Sequence, residues 1–520
     1  MYIRLAIIFL FSFLLSSSYA QISKFCGTTG SEFETIKDRL IQNKKFLKEN
    51  KDIASSRNSV TTYVPIKFHL VAEDDGSGRI GINRVFDQLC ILNETFADYD
   101  LQFYMHNGVN EVNNSAIFGT TSSGRESLDM QFERDREALN VWITETPTVN
   151  NSTLDGSILG FYDPSLDWVV VSKDHVSGNG FTLIHELGHY FSLLHPFHGW
   201  GDEGAPPYDE TYEGKPAPFF APDPNFTRDR ILTENADGSN CDVAGDMICD
   251  TPAEYLYFSA IDQSRCRYTK AMLDPKGVQI APDASLIMGY FLEGCISRFT
   301  EEQVALMKAD LQSNRRRSLR ANTPPPINEI TGSPTLIDPI AQKETANYNK
   351  VLLRWEPTPN ATSYLVEVHR TSSFSSSSTR IVTNNTSLLL EDLLTPGRNY
   401  FWRVTPYNAG YTCAAPSTTA RFRTGLSTAI RSIPAIDKWD ITPNPVQLNE
   451  SLYSTIEAST PFDADLKIYS LTGKIVYQIS KQFSVGSSKV AIPTDILSSG
   501  IYILQLTNEK GINSKKLIVQ

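Results

Sequence analysis

The stretch from His185 to His195 constrains the fold of this chain most. It reads His-Glu-Leu-Gly-His-Tyr-Phe-Ser-Leu-Leu-His and follows the apolar lead-in Phe181-Thr-Leu-Ile. Because His185 and His189 are four residues apart, a helix places both imidazoles on one face. His195 follows six residues later, so the chain must leave the helix to return a third imidazole. The stretch therefore predicts a buried helix that ends in a turn.

Three imidazoles at this spacing are a ligand set for a catalytic zinc ion, whose fourth tetrahedral position stays open. We predict that His185, His189 and His195 hold one Zn²⁺ and that Glu186 acts as general base. The alternative for a bare His-Glu-x-x-His is an ordinary helix with two polar residues on one side. Only 8 of the 520 residues are His, so His195 argues against that alternative.

A distant segment, Leu286-Ile-Met288-Gly-Tyr290, has the Met-x-Tyr form of a turn that passes beneath such a site. Together the two segments resemble the metzincin metalloproteases. The resemblance implies that Met288 forms the floor of the site and that Tyr290 helps to hold the oxyanion. Ser192 departs from the pattern, since it stands where the family has Gly. If the position needs a positive φ, Ser costs about 1 kcal/mol more than Gly.

The segment Cys241-Asp-Val-Ala-Gly-Asp-Met-Ile-Cys-Asp-Thr-Pro-Ala-Glu254 resembles the signature of the pappalysin family of metzincins, as does His195-Pro-Phe. The resemblance covers residues 26 to 316. Members of this family bind calcium beside the cleft, and a solvated acidic loop is the alternative here. The candidate calcium ligands, all with hard oxygen atoms, are Asp246, Asp250, Thr251 and Glu254.

Residues 1–20 have the form of a secretory signal peptide. Arg4 precedes the apolar run Leu5 to Leu15, and small residues end at Ala20. No second apolar span follows, so we expect an exported chain without a transmembrane span. The net charge of −12 argues against a nucleic-acid partner.

Export to an oxidising compartment favours disulfides among the seven cysteines. Cys90 lies on an apolar helical pattern and is interpreted as a core thiol, and nothing is assigned to Cys413. Four other cysteines permit three connectivities. The pairs that we predict are Cys241 with Cys249 and Cys266 with Cys295.

Cys26 lies in Phe-Cys-Gly-Thr, just after the signal peptide. A thiolate could fill the open zinc position and silence the enzyme, and pro-segments of pappalysin-type enzymes carry a Cys-Gly-Thr of this kind. An odd free thiol is the alternative. We predict a pro-segment over residues 21–56, with a charged helix over residues 31–50. Processing is expected near Ser56–Arg57, in a polar stretch suited to proteolysis.

The remaining chain divides by pattern. Residues 57–322 predict an α/β (α+β) metzincin catalytic domain, with an edge strand from Leu159 to Pro164 that can receive an extended peptide. Residues 323–334 contain the stiff linker Thr-Pro-Pro-Pro. Two all-β sandwich-like domains follow. Residues 335–427 resemble a fibronectin type III module with Tyr400 as its tyrosine corner, and residues 438–520 resemble the sorting domain of the type IX secretion route.

The sequence therefore predicts a multidomain zinc endopeptidase, made as a latent precursor and secreted or attached to the outer cell surface. Proteins or peptides are the expected substrates, and the secretion machinery is the expected partner of the C-terminal domain. The competing hypothesis is a silent surface adhesin on the same scaffold. The intact Glu186 argues against it, because a domain that only binds has no need of the base. Substrate preference stays open, since no residue can be assigned to the S1′ pocket.

Overall fold

A computed structural model describes most of the chain. The described residues are 26–28, 30–50, 61–119, 125–145, 147, 158–177, 180–202, 205–222, 230–292, 294–375, 378–426 and 432–520. The predicted signal peptide and the processing region near Ser56–Arg57 lie outside these ranges. Within them, no helix combines the length and apolar content needed to cross a bilayer.

The described residues form six α-helices, and their buried faces follow the apolar periodicity of the sequence. The helix predicted over residues 31–50 is present, as is the last helix with its Thr300 cap, where Thr300 and Gln303 form a capping box. The bounds are α1 Gly30–Glu49, α2 Ile82–Phe96, α3 Ser115–Gly119, α4 Arg125–Glu133, α5 Thr182–Tyr190 and α6 Glu301–Gln312.

A mixed sheet forms the centre of the first half of the chain. Its order is β2-β1-β4-β6-β5, with β3 also paired to β1. All pairings are parallel except that of β5 with β6, which is antiparallel and leaves β5 at the edge, as the sequence predicts. The strands are β1 Thr62–Ala72, β2 Leu101–Met105, β3 Asn110–Asn113, β4 Leu139–Thr144, β5 Gly160–Asp163 and β6 Trp168–Ser172. A two-stranded ribbon, β7 Ile261–Asp262 and β8 Arg267–Tyr268, follows.

The chain after α6 is all β among the described residues, apart from short 3-10 turns. Here β11 pairs antiparallel with β12 and β14, and β10 pairs antiparallel with β13. The hydroxyl of Tyr400 accepts a 3.0 Å hydrogen bond from the backbone N–H of Thr395, the contact that a tyrosine corner makes. The strands are β9 Leu336–Asp338, β10 Lys350–Trp355, β11 Ser363–His369, β12 Thr379–Thr383, β13 Ser387–Glu391, β14 Asn399–Tyr407 and β15 Ala420–Arg423.

The chain from Ile436 to its last residue contains two antiparallel sheets, ordered β16-β17-β20 and β19-β18-β21-β22. Both contribute to one apolar core, in which Ile456, Leu466 and Leu504 are fully buried. The alternation of buried and exposed residues along β18 and β21 is that of strands with one face on a core. The strands are β16 Ile436–Thr442, β17 Leu452–Ala458, β18 Phe462–Ser470, β19 Ile475–Phe483, β20 Gly486–Ile492, β21 Gly500–Asn508 and β22 Gly511–Val519.

The chain divides into two compact units. The first holds residues up to Leu336 together with Trp355–Thr386 and Phe401–Thr419, and the second holds Ile337–Arg354, Ser387–Tyr400 and Ala420–Gln520. In the first unit, the central sheet, α2 and α5 share one core with Met288.

Three disulfides are present among the described residues. Two are the predicted pairs, Cys241–Cys249 and Cys266–Cys295. The third joins Cys90 to Cys413. The interpretation of Cys90 as a core thiol was therefore wrong, because folding brings together residues that are 323 positions apart in sequence.

The Cys90–Cys413 disulfide lies in a junction inside the first unit. The segment after β14 reaches the region of α2, where the hydroxyl of Thr412 donates to the Phe86 carbonyl at 2.8 Å. Nearby, the N–H of Met105 donates to the Ala409 carbonyl at 2.7 Å. This part of the fibronectin-like region is thus packed on the α/β region and does not extend freely beyond the Pro-rich segment.

Candidate metal centre and substrate cleft

Three imidazoles meet at the carboxyl-terminal part of α5. The Nε2 atom of His195 lies 3.1 Å from Nε2 of His185 and 3.1 Å from Nε2 of His189. The helix supplies the first two rings from one face, and the turn after Tyr190 returns the third, as the spacing predicts. All three side chains are buried.

The opposite nitrogen of each ring has its own acceptor. Nδ1 of His185 donates to the Ile287 carbonyl at 2.8 Å, and Nδ1 of His189 donates to the Leu193 carbonyl at 2.8 Å. Because a carbonyl only accepts, both rings carry their proton on Nδ1 and point an Nε2 lone pair at the centre. Converging lone pairs repel one another unless a cation lies between them. The donor set therefore fits a metal ion.

The environment also keeps these rings in the form that binds metal. Burial lowers the pKa of His185 to about 3 and lowers the pKa of His189 as well. The pKa of His195 is lowered by burial too, although the hydrogen bond and charge of Asp202 oppose that shift. Neutral imidazole is the ligand form of His, so the centre needs no proton release from these residues on metal binding.

Asp202 holds the third imidazole, and the sequence did not indicate it. One carboxylate oxygen lies 3.4 Å from Nδ1 of His195 and 3.2 Å from Nδ1 of His198, while the other accepts the Gly199 N–H at 2.7 Å. Burial raises the pKa of this carboxyl, but the two histidines more than reverse the effect and hold it below its usual range. His198, which shares this carboxylate with His195, is also buried.

Met288 lies directly beneath α5, where the resemblance predicted it. It is fully buried in the core of the first unit. A Cβ added to Gly188 would lie 2.1 Å from the Met288 sulfur, so only glycine fits at that helix position. The same turn supplies the Ile287 carbonyl that orients His185. The turn thus determines how closely α5 packs on it and how the His185 imidazole is oriented.

Ser192 adopts the backbone conformation that makes glycine favourable. Its φ is +71°, and its N–H donates to the His189 carbonyl where the helix ends. The fully buried hydroxyl of Ser192 donates to Asp310 at 2.8 Å. A net 0.5–1.5 kcal/mol is typical of a hydrogen bond, about 1.5–3 kcal/mol when the acceptor is charged. That gain offsets the cost of a non-glycine residue at positive φ, about 1–2 kcal/mol.

Asp310 belongs to a buried ionic group behind the turn. Arg316 donates to Asp310 at 2.9 Å and to Asp167 at 2.6 Å, and its guanidinium stacks 3.5 Å from the centre of the Tyr190 ring. Burial lowers the pKa of Arg316, but Tyr190, Asp167 and Asp310 outweigh it and keep the group charged. The turn that carries His195 is therefore braced by a paired, hydrogen-bonded set of charges.

Glu186 faces the centre from the same helix. Its carboxyl is fully buried, and Oε1 has no hydrogen-bond partner among the described residues. Burial raises the pKa of Glu186 well above its usual value, against a hydrogen bond from Cys26 that lowers it. A carboxylate that gains affinity for a proton in this way is suited to proton transfer near neutral pH.

Tyr290 lies on the opposite wall of the centre. Its ring centre is 5.1 Å from that of His195 and 6.0 Å from that of His185. Burial raises the pKa of Tyr290, and the charges of Cys26, Asp202 and Glu186 add to the effect, with a backbone hydrogen bond from Cys26 opposing it. The phenol therefore keeps its proton and can donate a hydrogen bond.

The N-terminal segment enters this centre as an added strand. Cys26 forms a parallel bridge with Gly160 of β5, and the N–H of Gly27 donates to the Gly160 carbonyl at 2.8 Å. The Tyr162 N–H then donates to the hydroxyl of Thr28 at 3.2 Å. The segment thus occupies the free edge that we expected to receive an extended peptide.

The thiol of Cys26 completes the cluster. Its sulfur and one ring nitrogen from each of the three histidines all lie within 4.8 Å of one another. The sulfur also lies 3.6 Å from Glu186. Burial, followed by the Glu186 charge, raises the pKa of this thiol. Metal coordination overrides such a shift, because a coordinating thiol is deprotonated outright.

Helix α1 secures this segment over the cleft. Its residues Phe33, Ile36 and Leu40 are fully buried. The Phe33 ring lies 5.2 Å from the His195 ring and 5.5 Å from the His189 ring. The apolar spacing of the helix was visible in the sequence, but its contact with the histidines was not, since no local pattern encodes the partner of a surface helix.

Four residues were predicted as candidate calcium ligands. Two of them, Asp246 and Thr251, contact each other, whereas Asp250 and Glu254 each bind a different residue. The Thr251 hydroxyl donates to Asp246 at 3.0 Å. Asp250 accepts the backbone N–H of Glu302 at 2.8 Å, and Glu254 accepts the Tyr268 hydroxyl at 2.7 Å.

A different carboxyl, that of Glu234, lies near Asp246. The two are buried, each has one oxygen without a hydrogen-bond partner among the described residues, and burial raises both pKa values, with Asp246 adding to the shift of Glu234. The pKa of Glu234 is about 9 and that of Asp246 about 8. Two such carboxyls side by side are stable as acids, or as a pair that shares a cation.

Comparisons with known proteins agree with parts of this description. The chain is 27% identical over 229 residues to an extracellular metalloprotease of the fungus Colletotrichum graminicola, an alignment that covers 40% of this chain and 78% of the relative. Residues 440–520 match the family described as the secretion system C-terminal sorting domain.

Likeness to solved structures is weaker. Fibronectin domains FN1–FN3 of chicken CNTN1 match with a TM-score of 0.16 and 11% identity, covering 36% of this chain and 66% of that one, slightly under two thirds of its length. A structure called FN3tt matches with a TM-score of 0.14 and 19% identity, covering 19% of this chain and 100% of that one. Scores this low carry no argument about the fold.

The sorting domain bears directly on location. Its match spans β17 to β22 and the last three residues of β16, and it falls inside the predicted range 438–520. A domain of this kind directs export, and the fungal relative is itself an extracellular protein. The protein is therefore secreted or attached to the cell surface.

Proposed function

We propose that this protein is a secreted zinc endopeptidase of the pappalysin type. The observation that carries the proposal is the convergence of three Nδ1-protonated imidazoles beside the buried carboxyl of Glu186, whose Oε1 has no partner in the part of the chain that the structure describes. Nitrogen ligands, joined in the precursor by one sulfur, favour Zn²⁺ over the harder divalent cations. His185, His189 and His195 would hold the ion.

The chain's own residues then carry the proton transfers. Bound zinc would supply Lewis acidity, which activates water and polarises a peptide carbonyl. Glu186 takes the proton of the attacking water and passes it to the leaving amine. Tyr290 donates a hydrogen bond to the oxyanion as charge develops on it. The backbone of β5 binds the substrate as an added strand, at the edge where Cys26 to Thr28 lie in the precursor.

The same contacts support a latent precursor. In the presence of the pro-segment, the Cys26 thiol fills the space between the imidazoles and Glu186, and α1 covers the cleft. Because Cys26 forms a bridge with Gly160, the segment occupies the edge of β5 that a substrate would use. Removal of residues 21–56 would expose the centre and free the edge of β5.

Calcium binding is proposed separately. Of the four residues predicted as ligands, Asp246 and Thr251 are retained, and Glu234, which the sequence did not indicate, takes the place of Asp250 and Glu254. The unpartnered oxygens of the two carboxyls support it. Added calcium should raise the melting temperature of the protein, and Glu234→Gln should abolish that increase. If calcium does not change the melting temperature of the parent protein, calcium does not bind at this site.

The alternative function is that of a surface adhesin with the same fold but without catalytic activity. It accounts for the sorting domain and the predicted fibronectin-like region. It does not account for a buried carboxyl next to three converging imidazoles, with one oxygen that has no hydrogen-bond partner among the described residues. The experiment is to purify the processed protein, measure its zinc content, and follow hydrolysis of fluorescent casein. We expect about one zinc per chain and hydrolysis that a chelator abolishes and zinc restores. Zinc without hydrolysis would favour the adhesin.

A further inference from the structure

A buried amide side chain of α2 contacts the connection between β6 and α5, residues 173–181. Gln88 is fully buried on this helix. Its Nε2 donates to the Gly180 carbonyl at 3.1 Å, and its Oε1 accepts the Ser177 N–H at 3.1 Å. Both ends of the amide are thus bound to the backbone of the connection that leads into the metal-binding helix.

The two backbone groups that Gln88 binds belong to residues that also bind each other. The Gly180 N–H donates to the Ser177 carbonyl at 2.9 Å. That bond leaves the Ser177 N–H and the Gly180 carbonyl, which are the two groups that Gln88 takes. Arg84, one turn earlier on α2, adds a bond from Nε to the Val176 carbonyl at 2.9 Å. Because buried backbone groups need partners, α2 determines where this connection lies.

The packing around Gly180 leaves its backbone little freedom to move. A Cβ added there would lie 2.4 Å from the His175 carbonyl oxygen and 3.2 Å from Oε1 of Gln88. The connection is therefore packed closely on itself and on the Gln88 side chain. A change in either residue should displace this part of the backbone.

The same connection forms a wall of the cavity beside the proposed base. This cavity has a volume of about 680 Å³, and Ser177 and Gly180 both line it. Glu186 and the metal ligand His185 line it as well. A peptide that is held next to Glu186 therefore lies against the backbone that Gln88 orients.

We propose that Gln88 is a positioning residue for substrate binding, which acts through Ser177 and Gly180. The inference rests on the proposed function. A wall that is fixed before the substrate arrives contacts the bound substrate and the transition state alike. Loss of such an interaction raises KM and leaves kcat nearly unchanged.

The test is steady-state kinetics of the full processed protein on a fluorescence-quenched peptide. Gln88→Met keeps a side chain of similar length and removes both hydrogen bonds. We expect KM to rise about tenfold, with kcat within about twofold of the parent value. Gly180→Ala displaces the same backbone from the other side and should raise KM in the same way. It answers the question if Gln88→Met does not fold.

Asn93→Leu is the matched control, since Asn93 is a second amide side chain of α2 that binds backbone. Asn93 accepts the Phe103 N–H at 2.7 Å and donates to the Phe103 and Gly410 carbonyls at 3.0 and 3.1 Å. It is not among the described residues that line the cavity. A purely structural loss should lower the melting temperature of both variants and leave KM unchanged. A parent-like KM in Gln88→Met, or equal rises in KM for Gln88→Met and Asn93→Leu, would overturn the inference.

Peptide binding without turnover separates this inference from the proposed function. Glu186→Ala should bind the same peptide carrying a single fluorophore, and adding Gln88→Met should weaken that binding about tenfold, as measured by fluorescence anisotropy. A parent protein that binds the peptide without hydrolysing it would contradict the proposed function alone. Equal affinities of Glu186→Ala with and without Gln88→Met would overturn the inference and leave the protease standing.

Discussion

At the scale of single residues, the convergence of the three histidines could be predicted from sequence, whereas the residues that orient them could not. The spacing of His185, His189 and His195 is local, so the periodicity of a helix reveals it. Asp202 carries no periodic signal, because it lies in an irregular loop and acts through the fold. The same holds for Asp310, which reaches Ser192 from α6. Sequence patterns report which face a residue occupies, but not which distant group completes its hydrogen bonds.

Asp202 is predicted to position His195. Asp202→Asn removes the charge that favours the Nδ1-protonated ring, and losing the group that orients a metal-binding histidine costs about 10–100-fold in metal affinity. Competition with a chromogenic zinc chelator measures the change. Asp209→Asn is a suitable control, since Asp209 is exposed and caps a 3-10 turn, a role that Asn fills equally well. Unchanged zinc affinity in Asp202→Asn would show that Asp202 does not position His195.

Tyr290 is predicted to act on the oxyanion. Tyr290→Phe keeps the ring packed against His195 and Phe197 but removes the donor. We expect kcat to fall by about 10²-fold or somewhat less, with KM nearly unchanged. Steady-state kinetics on one peptide substrate measures both constants. A large rise in KM at intact kcat would mean that the ring positions substrate instead.

At the scale of elements, most regular structure followed from the pattern, whereas the pairing of distant elements did not. Strand β5 was predicted at a sheet edge because Pro164 follows it, and α6 was predicted from its Thr300 cap. Short elements such as β3 and α3 lack enough residues to show a period. The Cys90–Cys413 disulfide depends on tertiary contacts of α2 that no local signal encodes.

Helix α5 should tolerate no side chain at Gly188. In Gly188→Ala the new methyl would overlap the Met288 sulfur, and overpacking of this kind costs about 1–3 kcal/mol. Urea denaturation followed by tryptophan fluorescence measures the loss. Gly119→Ala provides the comparison, since an added Cβ there meets no atom within 4 Å. Equal stability of the two variants would mean that the turn moves freely away from the helix.

At the scale of the whole molecule, the chain order predicted a latent precursor with a sorting domain. Residues 440–520 match such a domain, and Cys26 lies at the candidate metal centre, whereas latency stays a prediction. The predicted boundaries stay predictions, because the compact units of the chain do not coincide with them. Part of the fibronectin-like region packs with the α/β region in one unit, so composition and linkers alone could not divide this chain.

The pro-segment should silence the enzyme through the Cys26 thiol. Cys26→Ala leaves α1 docked but empties the position beside Glu186, so we expect measurable activity before cleavage and faster processing. Combined with Glu186→Ala, the same change should give an uncleaved chain if processing is autocatalytic. Time courses on gels, with casein hydrolysis in parallel, follow both effects. A Cys26→Ala precursor that is as silent and as slowly cut as the parent would show that α1 blocks the cleft by bulk alone.

The most direct measurement compares the processed protein with its Glu186→Ala variant, for zinc content and for casein hydrolysis. Glu186 is assigned to proton transfer and the three imidazoles to metal binding. We therefore expect about one zinc per chain in both proteins and a loss of about 10²–10⁴-fold in turnover for the variant. Equal zinc content with unchanged hydrolysis would mean that Glu186 is not the base.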